Sequence, residues 1–321
     1  MSLDALTLKV EQPGLMSLVQ DTGRWGYQRF GVNVGGVRDP LAMRLANALV
    51  GNELGQAVLE CNVTGPSFEV VGGSVLMALT GSAQAGLKLD SGQLIPAQQS
   101  VFLRVGERVE VTPFADSACV TLAVHGGFAV PPVLGSSSTY GRGGFGGFQG
   151  RALKAGDSLP LGGSLQREER ALDLPLPYGQ GLVPVVLGPQ ADAFSPGAVE
   201  ALCSAPYRVG RESDRMGARL EGPVVEHLGD FNIVSDGMAI GAIQVPGNGQ
   251  PIVMGPDRGT VGGYTKIGAV ASAALPRMGR LRPGDEVQFK VVSAQEAVEQ
   301  ARAQAREMDE LMVQIRRQAA R

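Results

Sequence analysis

Side chains able to grip or activate a small polar ligand are concentrated in two glycine-rich stretches. The first, QDTGRWGYQRFGVNVGGVRD (20–39), carries Asp21, Arg24, Arg29, Arg38 and Asp39. The second runs from Ser213 to Lys266 and contains SDRMGARLEGP and GAIQVPGNGQPIVMGPDRGTVGGYTK, with Asp214, Arg215, Asp257, Arg258, Tyr264 and Lys266. A guanidinium fork suits carboxylates and phosphates alike. A lysine ammonium can neutralise developing charge, and an aspartate can orient an arginine or act as a base. Interspersed glycines let backbone N–H groups approach an anion or an amide. The same residue types also make tight turns and brace loops, so both readings stand at this level.

Several chemistries are excluded by what the sequence lacks. There is no G-x-x-x-x-G-K-[ST] loop, no G-x-S-x-G elbow and no H-E-x-x-H, and His125 and His227 form no metal-like spacing. No A-M-K-M-type segment offers a lysine for covalent biotin, so in an enzyme any ATP or biotin chemistry has to be shared with another chain. A net charge of −3 with Lys and Arg dispersed among acids gives no footprint for nucleic acid. Cys61, Cys119 and Cys203 are odd in number and far apart, as reduced thiols would be. With no leader-like N-terminus and no long apolar run, a cytoplasmic protein without a membrane segment is expected.

The elements that must position these residues are mostly strands. Glycine, 46 of 321 residues, is about twice its usual share of ~7%, which together with 20 prolines points to many turns between short strands. LTLKVEQP (6–13) alternates with period two, and short β-branched runs recur to Val124 at roughly ten-residue intervals, the pattern of a barrel or sandwich. PLAMRLANALVG (40–51) predicts a helix capped by Asp39, opened by Pro40 and stopped by Gly51, with Leu41, Leu45, Ala48 and Leu49 on one face. The glycine-rich segment 126–156 holds Phe128, Tyr140, Phe145 and Phe148, which predicts an ordered loop, and its 126–150 part is the first candidate for an apolar partner surface. LRVGERVEV (103–111), LKAGDSLPL (153–161) and LRPGDEVQF (281–289) share one shape, which predicts a similar β unit in each half. The charged, then proline-rich stretch 166–184 reads as a linker. From Ser293 a capping box with Glu296 opens a long helix whose seam is Val298, Ala301, Ala305, Met308, Met312, Ile315 and Ala319. The resulting division is residues 1–175, 176–292 and the helix 293–321.

Motifs across most of the chain resemble the C-subunit of the bacterial ATP-dependent 5-oxoprolinase, also called allophanate hydrolase subunit 2 or the antagonist of the sporulation-kinase inhibitor. They are QDTGRWGYQRFGV with GGVRD (20–39), LAMRLANALVGN (41–52), TGP (64–66), GGFAVPPVLGSSSTY (126–140), GGFGGFQGRALKAGD (143–157), SDRMGARLEGP (213–223), GAIQVPGNGQPIV (241–253) and GGYTKI (262–267). Where that family most often has GGYPK this chain has GGYTK, and MGPDRGT (254–260) replaces an M-A-D-R-Q-T-like segment. Asp257, Arg258, Tyr264 and Lys266 are kept. The resemblance implies a mainly β fold of two cyclophilin-like β-barrels, with one short helix in the N-terminal half and a long C-terminal one. It also implies a hetero-oligomer with a subunit-B-like protein and a lactam-utilisation subunit-A-like protein, using ATP with Mg to open 5-oxoproline to glutamate. On that reading Lys266, Asp257 and Asp214 are the catalytic candidates, and Arg24, Arg215, Arg258 and Tyr264 would bind substrate. The same fold serves as the carboxyltransferase component of biotin-dependent urea carboxylase, and a non-catalytic partner of a kinase inhibitor is a third reading.

Because the sequence has no nucleotide-binding motif, the purified chain alone is expected to turn over neither ATP nor 5-oxoproline. Turnover above that of Lys266→Ala in a coupled ADP and glutamate assay contradicts this.

Overall fold

The computed structural model describes residues 5–163 and 167–318. Ala319 of the expected seam and Gln166 of the expected linker lie outside them. The chain divides into two compact units, one of the residues to Trp25, Gly35–Leu176 and the chain from Met308 onward, the other of Gly26–Val34 and Pro177–Glu307.

In the first unit the chain crosses repeatedly between two sheets. One sheet has the order Ser158–Pro160, Thr7–Gln12, Ser67–Val71, Arg108–Val111, Gly86–Leu89, Leu94–Pro96. The other has the order Met16–Gln20, Val58–Asn62, Cys119–Val124, Val75–Thr80, Ser100–Leu103. Thr7–Gln12 passes into Met16–Gln20, and Leu94–Pro96 into Ser100–Leu103, so corners join the two sheets round one core. Leu8, Val10, Phe68, Val70 and Val109 meet Val19, Leu59, Met77, Leu79 and Leu122 there. Each such side chain contributes roughly 1.5–3 kcal/mol on burial.

The central strands of the second sheet are buried at every position, Val58–Asn62, Val75–Thr80 and Cys119–Val124 alike, which requires cover on the outer face too. The Pro40–Leu49 helix contributes to that cover: Thr80 Oγ1 donates to the Ala42 carbonyl at 2.8 Å. Asp39 caps it as expected, one carboxylate oxygen accepting from the amides of Leu41 (3.1 Å) and Ala42 (3.0 Å), and Gly51 follows its end at φ 75°. The helix buries more than one face, and Ala48 is less buried than Met43 or Ala46.

The second unit is an eight-stranded sheet, ordered Glu286–Val287, Tyr207–Val209, Gly217–Glu221, Ile252–Met254, Ala242–Gln244, Lys266–Val270, Val183–Leu187, Phe289–Val291. Its two edge strands are separated in sequence by Gln288 alone, so the edges are brought together and the sheet nearly closes into a barrel. Val185, Tyr207, Leu220, Ile243, Val253, Ile267 and Phe289 fill it. Two short helices that the periodicity does not show, Ala198–Ser204 and Leu275–Gly279, join the predicted pair.

The capping box of the C-terminal helix, Ala294–Gln318, is present in both directions: Ser293 N–H donates to Glu296 at 2.7 Å and Glu296 N–H to Ser293 Oγ at 3.2 Å. The seam is corrected. Val298 and Ala305 are exposed, while Ala297 and Leu311 are buried with Met308, Met312 and Ile315. A straight helix of 3.6 residues per turn drifts away from a strict seven-residue spacing, and over six turns that shifts the buried stripe.

The repeated L-x-x-G-[DE] segment is one turn built three times. The acidic side chain accepts from the backbone amide three residues earlier, Arg104 to Glu107 (2.7 Å), Lys154 to Asp157 (2.7 Å) and Arg282 to Asp285 (2.8 Å). The glycine amide then docks on a strand carbonyl, Gly106 on Val70, Gly156 on Val10 and Gly284 on Val209, each at 2.8 Å. These glycines have φ of 85°, 86° and 95°, the left-handed region that a side chain disfavours. Two copies belong to the first unit and one to the second.

No atom outside the chain neighbours lies closer than 3.9 Å to a Cβ built at Gly284, so the backbone alone sets the cost of Gly284→Ala. That variant is expected to lose about 1–2 kcal/mol in urea denaturation. At Asp157, the hydrogen bond from Arg151 holds the carboxyl below its usual range, with further help from the Lys154 amide. Its stabilisation is complete above the unfolded value of about 3.9 and is lost as pH falls through the lower folded value. Stability should therefore fall less steeply below pH ~4 in Asp157→Asn than in the unaltered chain.

Candidate functional site

Arg24 lies in the first unit and is fully buried. Its Nε donates to the Val133 carbonyl (2.9 Å), its Nη2 to the Ser138 carbonyl (2.8 Å), and its guanidinium lies 4.9 Å from the Phe145 ring centroid. Asp21 gathers the same loop, accepting from Gly23 N–H (2.8 Å), Ser136 Oγ (2.7 Å), Ser137 N–H (2.6 Å) and Ser138 Oγ. A Cβ at Gly146 would sit 2.1 Å from the Ser138 carbonyl oxygen and 2.8 Å from Arg24 Nη2, which explains a glycine there. The loop is thus ordered, and its aromatics face inward: Tyr140 and Phe145 form an edge-on pair at 5.5 Å, Phe148 packs on the core and Phe128 is buried. This corrects the expectation that these rings present an apolar partner surface, since ordering a glycine-rich loop uses them as anchors. Large exposed apolar side chains include Leu134 within the loop, Trp25 elsewhere in the first unit and Val234 in the second.

The other six candidates lie in the second unit. Arg215 and Asp257 form a two-pronged pair, Nε to Oδ2 at 2.9 Å and Nη2 to Oδ1 at 3.0 Å, with side chains 5% and 13% exposed. The backbone repeats the tie, Asp257 N–H donating to the Arg215 carbonyl at 3.0 Å. Asp214 accepts from the amides of Met216 (2.8 Å) and Gly217 (3.3 Å) and so shapes the turn leading into Gly217–Glu221. Arg258 donates through Nε to the Met238 carbonyl at 2.9 Å, and burial pushes its guanidinium pKa down.

Lys266 opens the strand Lys266–Val270, and its ammonium donates to Asp236 Oδ2 at 3.1 Å. That hydrogen bond is the main reason the Asp236 carboxyl is held below its usual range. Gln190 completes a triangle, its Oε1 accepting from Lys266 N–H (3.0 Å) and its Nε2 facing Asp236 Oδ2 (3.4 Å). Gln244, buried, is the cross-strand neighbour of Lys266. Tyr264 ends a row of rings, Phe194, His227, Phe231 and Tyr264, with successive centroids 4.8, 6.1 and 6.1 Å apart. Asp236, Gln190 and Gln244 were not singled out from sequence. The one available signal was Gln244, a polar residue inside the apolar run GAIQVP. Among the described residues no group of three or more His, Cys, Asp or Glu side chains is placed to hold a metal ion.

In chemical terms the second unit offers a closed arginine–carboxylate brace beside a turn, a lysine ammonium paired with a carboxylate on a strand where Gln190 and Gln244 are its neighbours, and a row of rings that ends at Tyr264. That is equipment for holding a small polar ligand and stabilising negative charge on oxygen. Comparison with known proteins agrees with the fold: the carboxyltransferase domain, subdomain A and B, family matches residues 30–291, and the chain belongs to it. It is similar to the 5-oxoprolinase C-subunit of Escherichia coli (strain K12), 33% identical over 306 residues that make up 95% of this chain and 97% of that one. Among solved structures, Kluyveromyces lactis urea carboxylase superimposes with a TM-score of 0.87 at 28% identity, covering 97% of this chain and 30% of that one. TTHA0988 gives 0.79 at 37% identity, covering 90% of this chain and 57% of that one. The chain thus spans nearly all of one relative and little more than half, or less, of the other two.

Replacing Arg215 by alanine leaves Asp257 a largely buried carboxylate without its fork. A loss of about 3–5 kcal/mol in urea denaturation is expected, with Arg215→Lys intermediate. A change below about 1 kcal/mol shows that the pair is not a brace.

Proposed function

We propose that this chain is the carboxyltransferase-fold subunit of a multi-chain, ATP-dependent amide hydrolase that opens 5-oxoproline to glutamate. The observation that carries this reading is the end-to-end match with the C-subunit of 5-oxoprolinase, whose name declares a part of a larger enzyme. A subunit-B-like and a lactam-utilisation subunit-A-like protein are the partners, and ATP with Mg enters through the complex.

A lactam carbonyl resists water, and phosphorylation of its oxygen by ATP makes the carbon a better electrophile. In this chain Lys266 is suited to hold negative charge on a substrate oxygen, with Gln190 and Gln244 next to it. Asp214 and the Arg215–Asp257 brace fix a turn, and Arg258 holds the Met238 carbonyl; on this reading these residues flank the substrate. Tyr264 at the end of the aromatic row supplies an apolar wall for the ring.

A second reading is supported by the urea carboxylase superposition, which extends over almost the whole of this chain. Here the complex would transfer a carboxyl group to an amide from biotin carried by another chain.

The test is reconstitution. Co-expressed with the two partner proteins, the chain should support ATP-dependent release of glutamate from 5-oxoproline, and Lys266→Met should lower kcat by roughly 10²-fold or more. Carboxylation of urea with a biotin-carrier protein, without glutamate release, supports the second reading and overturns the first.

A further inference from the structure

Lys266 and its carboxylate partner are unequally held. The ammonium belongs to a barrel strand flanked on both sides by hydrogen-bonded neighbours, and its side chain is 10% exposed. Asp236 is 56% exposed and sits on Asn232–Gly237, which pairs with Val261–Tyr264 in a separate two-stranded ribbon. The register of that ribbon shifts between Asn232 and Asp236, and Val234 within it is 93% exposed. A two-stranded ribbon has little stability of its own, so the Asp236 end of the pair moves at low cost.

An ammonium carries three N–H donors, and Asp236 Oδ2 takes one of them. A cation this enclosed gains from further acceptors. An incoming carboxylate brings two oxygens, and the amide side chains of Gln190 and Gln244 stand beside the same lysine. A pair whose acid is half exposed is weak, so a ligand that engages Lys266 better can displace it.

We propose that Lys266 is the binding point for the carboxylate of a small ligand, and that in the ligand-free chain Asp236 on the exposed ribbon occupies that ligand's place. Binding then exchanges one carboxylate for another and releases the ribbon. The inference rests on the proposed function for naming 5-oxoproline as the ligand, and on the geometry alone for the exchange.

The experiment uses the full-length chain with two probes, 5-oxoproline and acetate as a bare carboxylate, in calorimetric and NMR titrations. Both probes are expected to bind about two- to fivefold more tightly to Asp236→Asn, from which the internal competitor is gone, and not to Lys266→Met. In the unaltered chain either probe should move the Gly237 amide, which donates to Asp236 Oδ1, and return the Asp236 carboxyl toward its ordinary titration. Asp236→Ala, free of any hydrogen-bonding replacement, should match Asp236→Asn if that variant folds poorly. Equal or weaker binding to both Asp236 variants overturns the proposal, as does binding that survives Lys266→Met or no binding of either probe to any form. Exchange with acetate in a chain whose reconstituted complex releases no glutamate removes 5-oxoprolinase activity and leaves the exchange standing.

Discussion

A polar group taken out of water must find a partner, and in a chain this rich in glycine loops that requirement governs the architecture. The first unit meets it with two side chains. Asp21 collects amides and hydroxyls from the Ser136–Ser138 segment, and Arg24 returns donors to the carbonyls of Val133 and Ser138. The pair turns a stretch that composition alone would leave flexible into a fixed surface. Close approach then excludes side chains at Gly146 and Gly147, where a Cβ would meet Ser138 or Thr139 at 2.1 or 1.8 Å.

The second unit meets the same requirement in two ways with different consequences. Arg215 and Asp257 satisfy one another through both prongs of the fork and again through the backbone, so neither is available without loss of structure. Lys266 and Asp236 meet through one contact, with one partner on a barrel strand and the other on an exposed ribbon. Double engagement makes a brace, whereas single engagement at the edge of solvent makes a contact that a ligand can replace. The distinction separates structural from chemical candidates among residues that look alike in sequence.

Membership of the carboxyltransferase family places the chain among proteins whose relatives range from a separate subunit to a fraction of a longer polypeptide. A fold used both alone and fused must carry its own core. The two clusters here do so, each enclosed by the sheets of its own unit. The thrice-built L-x-x-G-[DE] turn contributes by fixing a strand end with only five residues, the acid tying the turn and the glycine tying it to a strand.

Local chemistry was legible in the sequence wherever it acts over a few residues. Asp39 with Pro40 started the first helix, Ser293 with Glu296 started the last, and the L-x-x-G-[DE] spacing marked a real turn, because caps and turns depend on neighbours along the chain. The mainly β character and the family also followed from sequence. Which charges are braces did not, because Arg215 finds its carboxylate 42 residues away and Lys266 finds its own 30 residues back. The aromatics of the glycine-rich loop could not be assigned a direction before Arg24 was seen against Phe145. Asp236 was invisible for the same reason: nothing in NIVSDG marks a functional acid, and only the pairing of Asn232–Gly237 with Val261–Tyr264 carries it to Lys266. Strand register and long-range pairing are decided by each sheet as a whole, and that information belongs to the tertiary structure.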